Sequence, residues 1–261
     1  MFRRVLNAIR PWPKHPIDEV YGIETSQKVF RAFLTTGQKT ADEANNGYAG
    51  SQPSIIRRAI LALPPLDANT AFIDLGCGKG RVLAVATEFT FASIVGIELS
   101  PPLCRTAARN AKRVAARYPG RTSIQVVCGD ATKPELPAAG DVVLFLYNSF
   151  QRPLVATLVD HLEKAIAGSG TARLFVIYYN PTNAELFDAS DAFARYYAER
   201  LTFAADEPMS FDNDFDSVVI WQGRSANMSP PHEGADRWVE VRVPDRAAVV
   251  RYASDPIAED A

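Results

Sequence analysis

The stretch that decides the fold is TAFIDLGCGKGRVLAVA, residues 70–86. Residues 71–75 are apolar except for Asp74 and read as a short strand covered on both faces. Gly76, Gly78 and Gly80 follow at alternate positions, and from Arg81 the apolar spacing becomes that of a helix. Strand, glycine-rich turn and helix in this order make the first half of a βαβ unit. Glycine lets such a turn bend tightly and approach a ligand with no Cβ between. In open parallel sheets the ligand site lies at the carboxyl ends of the strands.

Working outward, SIVGIEL (93–99), SIQVVCGD (123–130), DVVLFLYN (141–148) and ARLFVIYYN (172–180) are further apolar runs. Helical stretches separate most of them. The second run leads into a helix whose first positions hold Pro101 and Pro102, with Ser100 as the expected cap. YYAERLTF (196–203) and DSVVIWQG (216–223) are close enough for an antiparallel hairpin. The whole predicts an α/β class: a Rossmann-like, doubly wound, mostly parallel seven-stranded sheet with helices on both faces and an antiparallel last strand. Three segments are expected: an arm, helix and covering loop over 1–54, the main domain over 55–223, and a tail over 224–261. Within the first, the three prolines before residue 20 suggest an irregular arm, and ETSQKVFRAFLTTGQ (24–38) a short amphipathic helix.

Composition narrows the function classes. The chain has 261 residues, 47% hydrophobic and 22% charged, with a formal net charge of −2. That balance builds an ordinary core and supplies no general attraction to nucleic acid or an anionic membrane. Cys77, Cys104 and Cys128 are too scattered for a disulfide framework or a zinc site, so reduced thiols are expected. The N-terminal residues lack the apolar core of a signal peptide, and no segment has the length of a membrane span, so a cytoplasmic protein is expected.

The glycine turn excludes two common ligand motifs. The third glycine of a dinucleotide fingerprint would fall at position 81, which is Arg81. A Walker loop needs Ser or Thr after Gly78-Lys79, and Gly80 stands there.

The pattern from Asp74 to Gly80 instead resembles the first motif of class I S-adenosylmethionine-dependent methyltransferases. The resemblance implies S-adenosylmethionine as cofactor, held by Asp74, Gly76, Cys77, Gly78 and Gly80. Glu98 with Leu99 stands where the family binds the ribose hydroxyls, and a carboxylate suits a diol because it accepts two hydrogen bonds. Asp130 with Ala131 stands where the adenine amino group is read, and Asn148 at the family's substrate-facing position, as the candidate catalytic residue. FIDLGCGKGRVLAVA, VGIELSP and FLYNSF are similar to a group of small bacterial methyltransferases related to protein-lysine methyltransferases, including the nucleosome-core lysine type. The stretch 48–53, beginning at Tyr48, looks like that group's upstream loop, which would fold over the cofactor.

The acceptor is left open: a protein or a small molecule, with no metal implied. Ser149 breaks the Asn/Asp-Pro-Pro-aromatic motif of enzymes acting on exocyclic amino groups, which speaks against a nucleic-acid partner, and no membrane partner is expected. Asp212, Asp214 and Asp216 do not fit a calcium loop, because Ser217 occupies its glycine position. Within DEPMSFDNDFD (206–216) they read either as a solvated acidic loop or as a group that favours a cationic acceptor such as lysine. Tyr178, Tyr179 and Asn180 are expected on one face at the end of the fifth strand. Two other readings stand beside this one: a non-catalytic S-adenosylmethionine-binding module, and a nicotinamide-dependent oxidoreductase.

Overall fold

A computed structural model of the chain describes residues 14–29, 47–147, 149–168, 173–208, 215–242 and 249–252. The part of the expected helix at 30–38, Asn148, Asp212 and Asp214 lie outside them.

Seven strands form one sheet: β1 (Ala71–Leu75), β2 (Ser93–Glu98), β3 (Ile124–Cys128), β4 (Val142–Tyr147), β5 (Leu174–Tyr179), β6 (Phe193–Thr202) and β7 (Phe215–Gly223). Their order is β3-β2-β1-β4-β5-β7-β6. The first five pair in parallel. β7 runs antiparallel to both neighbours. The cause is local: β6 turns back on itself as a hairpin, and the returning strand fills the gap beside β5. The antiparallel last strand is thus as the sequence implied.

Alternation along each strand sorts side chains to two faces. Phe72, Phe145, Phe175 and Ile177 pack with Ile55 and Ile56 of α2 (Pro53–Leu61), Val82 and Val85 of α3 (Arg81–Ala86) and Val114 of α4 (Pro101–Arg117). Ile73, Leu144, Leu146 and Val176 pack on the other face with Val155 and Leu158 of α5 (Arg152–Gly168) and Phe187 of α6 (Ala184–Asp188). Val239 and Val241 of β8 (Val239–Arg242) join that second face. β8 pairs with β9 (Val249–Tyr252), and the Ser217 hydroxyl donates to the Glu240 carbonyl, tying this hairpin to β7.

Four local readings are corrected. Pro16–Tyr21 is a helix, α1, rather than irregular arm: His15 caps it by accepting from the Ile17 N–H at 3.2 Å, Pro16 opens it, and Gly22 closes it with φ 68°. The described part of the expected helix after Glu24 is not helical, with Val29 bridged antiparallel to Tyr48. Ser100 makes no side-chain cap; its N–H donates to Glu98 instead. Cys104 and Cys128 are joined by a disulfide, with Cα atoms 5.8 Å apart, and Cys77 is the free, buried thiol. Strand pairing brings Cys128 opposite Glu98, six positions before Cys104, which sequence spacing does not reveal.

Candidate active site

The glycine turn leaves β1 in the left-handed region: φ is +78° at Gly76, +55° at Gly78 and +82° at Gly80. L side chains rarely adopt these angles, so the alternating glycines are a backbone requirement. The turn is pinned by the Gly76 and Cys77 N–H groups, both donating to the Ile97 carbonyl of β2 at 2.9 and 3.0 Å. Ser149 flanks Gly76 so closely that a Cβ there would stand 2.7 Å from its hydroxyl oxygen.

Glu98 faces this turn from the end of β2. Its Oε2 accepts from the Gly78 N–H at 2.9 Å and its Oε1 from the Ser100 N–H at 2.8 Å. Burial pushes its pKa up, while these backbone donors pull it down. Each oxygen keeps a second lone pair, so the oriented carboxylate can still accept from a diol. Leu99 follows, half-buried.

Asp74 is 2% exposed and its Oδ2 has no hydrogen-bond partner. Burial, then the neighbouring Glu98 charge, holds its pKa well above the ordinary range. An unpartnered buried carboxylate is costly unless a cationic partner completes it.

Asp130 lies just beyond β3, next to Gly129, whose N–H donates to the Glu98 carbonyl at 2.9 Å. Its Oδ1 accepts from the Thr132 N–H and hydroxyl, which holds the carboxylate at the exposed rim. Ala131 is buried behind it in the core. Strand order therefore brings Asp74, Cys77, Gly78, Gly80, Glu98 and Asp130 to the carboxyl edge of β1, β2 and β3.

The next strand ends carry a second group. Tyr147 of β4 packs on Tyr179 of β5 with ring centroids 4.3 Å apart. The Tyr179 hydroxyl donates to Asp216 Oδ2 of β7 at 2.7 Å. Tyr178 points to the opposite face, packing near Phe187 and Trp221, so the expectation of one shared face fails by strand alternation.

The N-terminal segment covers the turn. The Tyr48 ring lies against Gly78, and its hydroxyl donates to the Thr25 carbonyl at 2.8 Å. Arg81, 5% exposed, donates to Thr25 Oγ1 at 2.7 Å and to the Ser51 carbonyl at 3.2 Å. Sequence reasoning does not find Arg81. Its one signal is a cation at a helix N-terminus, where the dipole disfavours it.

Within 206–216, Glu207 is committed to structure, accepting from the Ser54 N–H and hydroxyl at the start of α2. Among the described residues no cluster of His, Cys, Asp and Glu could hold a metal, and no helix is long and apolar enough to cross a membrane.

Against this geometry, comparison with known proteins is decisive. The family model described as a methyltransferase domain matches residues 72–170, a span that contains the glycine turn, Glu98 and Asp130. Residues 72–170 are thus a methyltransferase domain of the class I, S-adenosylmethionine-dependent kind. This methyltransferase is 27% identical over 117 residues to a protein-lysine N-methyltransferase of Saccharolobus islandicus, covering 44% of the chain and 70% of that relative. It is 35% identical over 92 residues to nocamycin O-methyltransferase of Saccharothrix syringae, covering 34% of the chain but only 31% of the relative. A solved structure of precorrin-6y C5,15-methyltransferase from Geobacter metallireducens superposes with a TM-score of 0.45 at 15% identity, over 64% of this chain and 87% of that one.

The residues of the methyltransferase fit S-adenosylmethionine on two observations. The orphaned Asp74 oxygen suits a cationic ligand, and the left-handed glycine turn leaves its backbone bare toward the site.

Proposed function

We propose that this methyltransferase acts on an amine, with a protein lysine as acceptor. The observation that carries the reading is the corner of Tyr147, Tyr179 and Asp216 at the carboxyl ends of β4 and β5, next in line after the glycine turn. Aromatic faces and a carboxylate together attract an alkylammonium group. The protein-lysine relative supports the same acceptor.

In this reading Gly76, Cys77, Gly78 and Gly80 cradle the cofactor with backbone groups, while Asp74 balances its positive charge. Glu98 and Leu99 take the ribose, and Asp130 and Ala131 the adenine. When bound, S-adenosylmethionine supplies an electrophilic methyl group and a neutral thioether leaving group. The protein's part is alignment and exclusion of water. Asn148 follows Tyr147 directly, and its amide oxygen orients the acceptor nitrogen. Asp216 draws the ammonium in, and desolvation between the tyrosine rings favours transfer of its proton to water, leaving the free amine to attack. Tyr48 and the segment around it shield the turn from solvent.

The test is labelled-methyl transfer from S-adenosylmethionine into a cell extract, with and without prior chemical blocking of lysine amines. Label in protein that disappears on blocking supports the reading. Label that persists in protein, or that enters only the small-molecule fraction, overturns it.

A further inference from the structure

Two of the three cysteines bracket the cofactor carboxylates. Cys104 lies in the first turn of α4, four residues after Ser100, whose N–H orients Glu98. Cys128 ends β3, directly opposite Glu98 in the strand register and two residues before Asp130. The Cys104–Cys128 bond, with Cα atoms 5.8 Å apart, therefore clamps α4 to β3 around the wall that Glu98 and Asp130 form. We propose that this disulfide is a reversible thiol switch on S-adenosylmethionine affinity, the bonded form binding more tightly.

Three features make the bond exchangeable as well as well placed. Cys128 is exposed on β3, an edge strand, so a small thiol can reach it. Cys104 is 7% exposed and sits at the N-terminal end of a seventeen-residue helix. The helix dipole there stabilises a departing thiolate, and a better leaving group speeds exchange. A low-molecular-weight thiolate attacks the Cys128 sulfur, the Sγ–Sγ bond breaks, and its electron pair leaves on Cys104. A second thiolate then attacks the mixed disulfide, releasing the small-molecule disulfide and a Cys128 thiolate. The protein disulfide is reduced by two electrons, and two thiols are oxidised to one disulfide. A low-molecular-weight disulfide drives the reverse.

Reduction leaves the core intact and removes the covalent tie between α4 and the turn at 129–130. Glu98 and Asp130 then have to be ordered by the cofactor itself, and ordering on binding lowers affinity. The inference rests on the assignment of these carboxylates to the cofactor.

The experiment is calorimetric titration of the full chain with S-adenosylmethionine, after treatment with a low-molecular-weight disulfide and after reduction with a phosphine. Mass after alkylation counts the free thiols in each sample. The expected result is affinity weaker by about fivefold in the reduced protein, restored on reoxidation, because preorganisation is lost and regained. Cys128→Ser is expected to bind like the reduced protein under both conditions, with an unchanged circular dichroism spectrum. Equal affinities in samples whose thiol counts differ would overturn the switch, as would a thiol count that no treatment changes. Binding in neither state would instead remove the cofactor assignment on which the inference stands.

Discussion

The Tyr48 ring lies across Gly78, so close that a Cβ at position 78 would stand 2.3 Å from its Cδ2. A residue of the N-terminal segment thus rests directly on the glycine turn. The contact explains why glycine is needed at 78 twice over, for its φ of +55° and for the ring above it.

Gly78→Ala is therefore expected to destabilise the protein by more than the about 1–2 kcal/mol that a left-handed L residue costs. Gly78→Ala combined with Tyr48→Ala should be less unstable than the two single losses added, because the clash is gone while the backbone strain remains. Denaturant unfolding of the four proteins measures this coupling.

Arg81 holds the same segment through Thr25 and Ser51. Arg81→Met strands those buried acceptors and is expected to cost about 2–4 kcal/mol. Limited proteolysis should then cut first between residues 14 and 29. Arg81→Lys should restore only part of the protection, since an ammonium lacks the guanidinium fork.

Asp74→Asn should separate stability from binding. Without cofactor, replacing a buried, unpartnered carboxylate by a neutral amide is expected to raise thermal stability at neutral pH, by about 1 kcal/mol. Affinity for S-adenosylmethionine should fall by about tenfold, through loss of one charge-assisted contact. Thermal melts and calorimetry on the same samples check both signs. A variant less stable and equally tight would refute the assignment.

His15 predicts a pH dependence. Burial first, then the nearby Arg81 charge, lowers its pKa below 6.5. Its Nδ1 accepts from the Ile17 N–H, and Nε2 lies 3.1 Å from Gln52 Oε1, an arrangement that needs the neutral ring. Folding thus disfavours protonation: the stabilisation is complete above pH 6.5 and drains away as pH falls below it toward the folded pKa. Protease sensitivity of residues 14–29 should rise between pH 7 and pH 5. His15→Asn, which caps without titrating, should flatten that rise.

Much of the candidate cofactor edge is legible in the sequence. Asp74, Glu98 and Asp130 each close or follow an apolar run, and in a parallel sheet such positions gather at one edge whatever the helices do. The hairpin of β6 and β7 is equally local, being two runs a short loop apart. Helix α1 escapes a reading of the chain because proline, a breaker inside helices, opens one here. Residues 24–29 escape it because the apolar spacing that suggests a helix begins only at Val29, whose bridging partner, Tyr48, lies far along the chain. Nothing near Tyr179 in sequence names Asp216, and nothing near Gly76 fixes the approach of Ser149.

The strands of the sheet, the candidate binding edge and the cofactor class follow from the order of residues along the chain, because periodicity and backbone freedom are local properties. Which side chains meet is a matter of tertiary packing. That packing sets Tyr48 over Gly78, Arg81 among Thr25 and Ser51, Tyr179 against Asp216, and Cys104 beside Cys128. Such encounters depend on strand order and on how distant segments come together. They are chosen by the burial of the whole core rather than by any stretch within it.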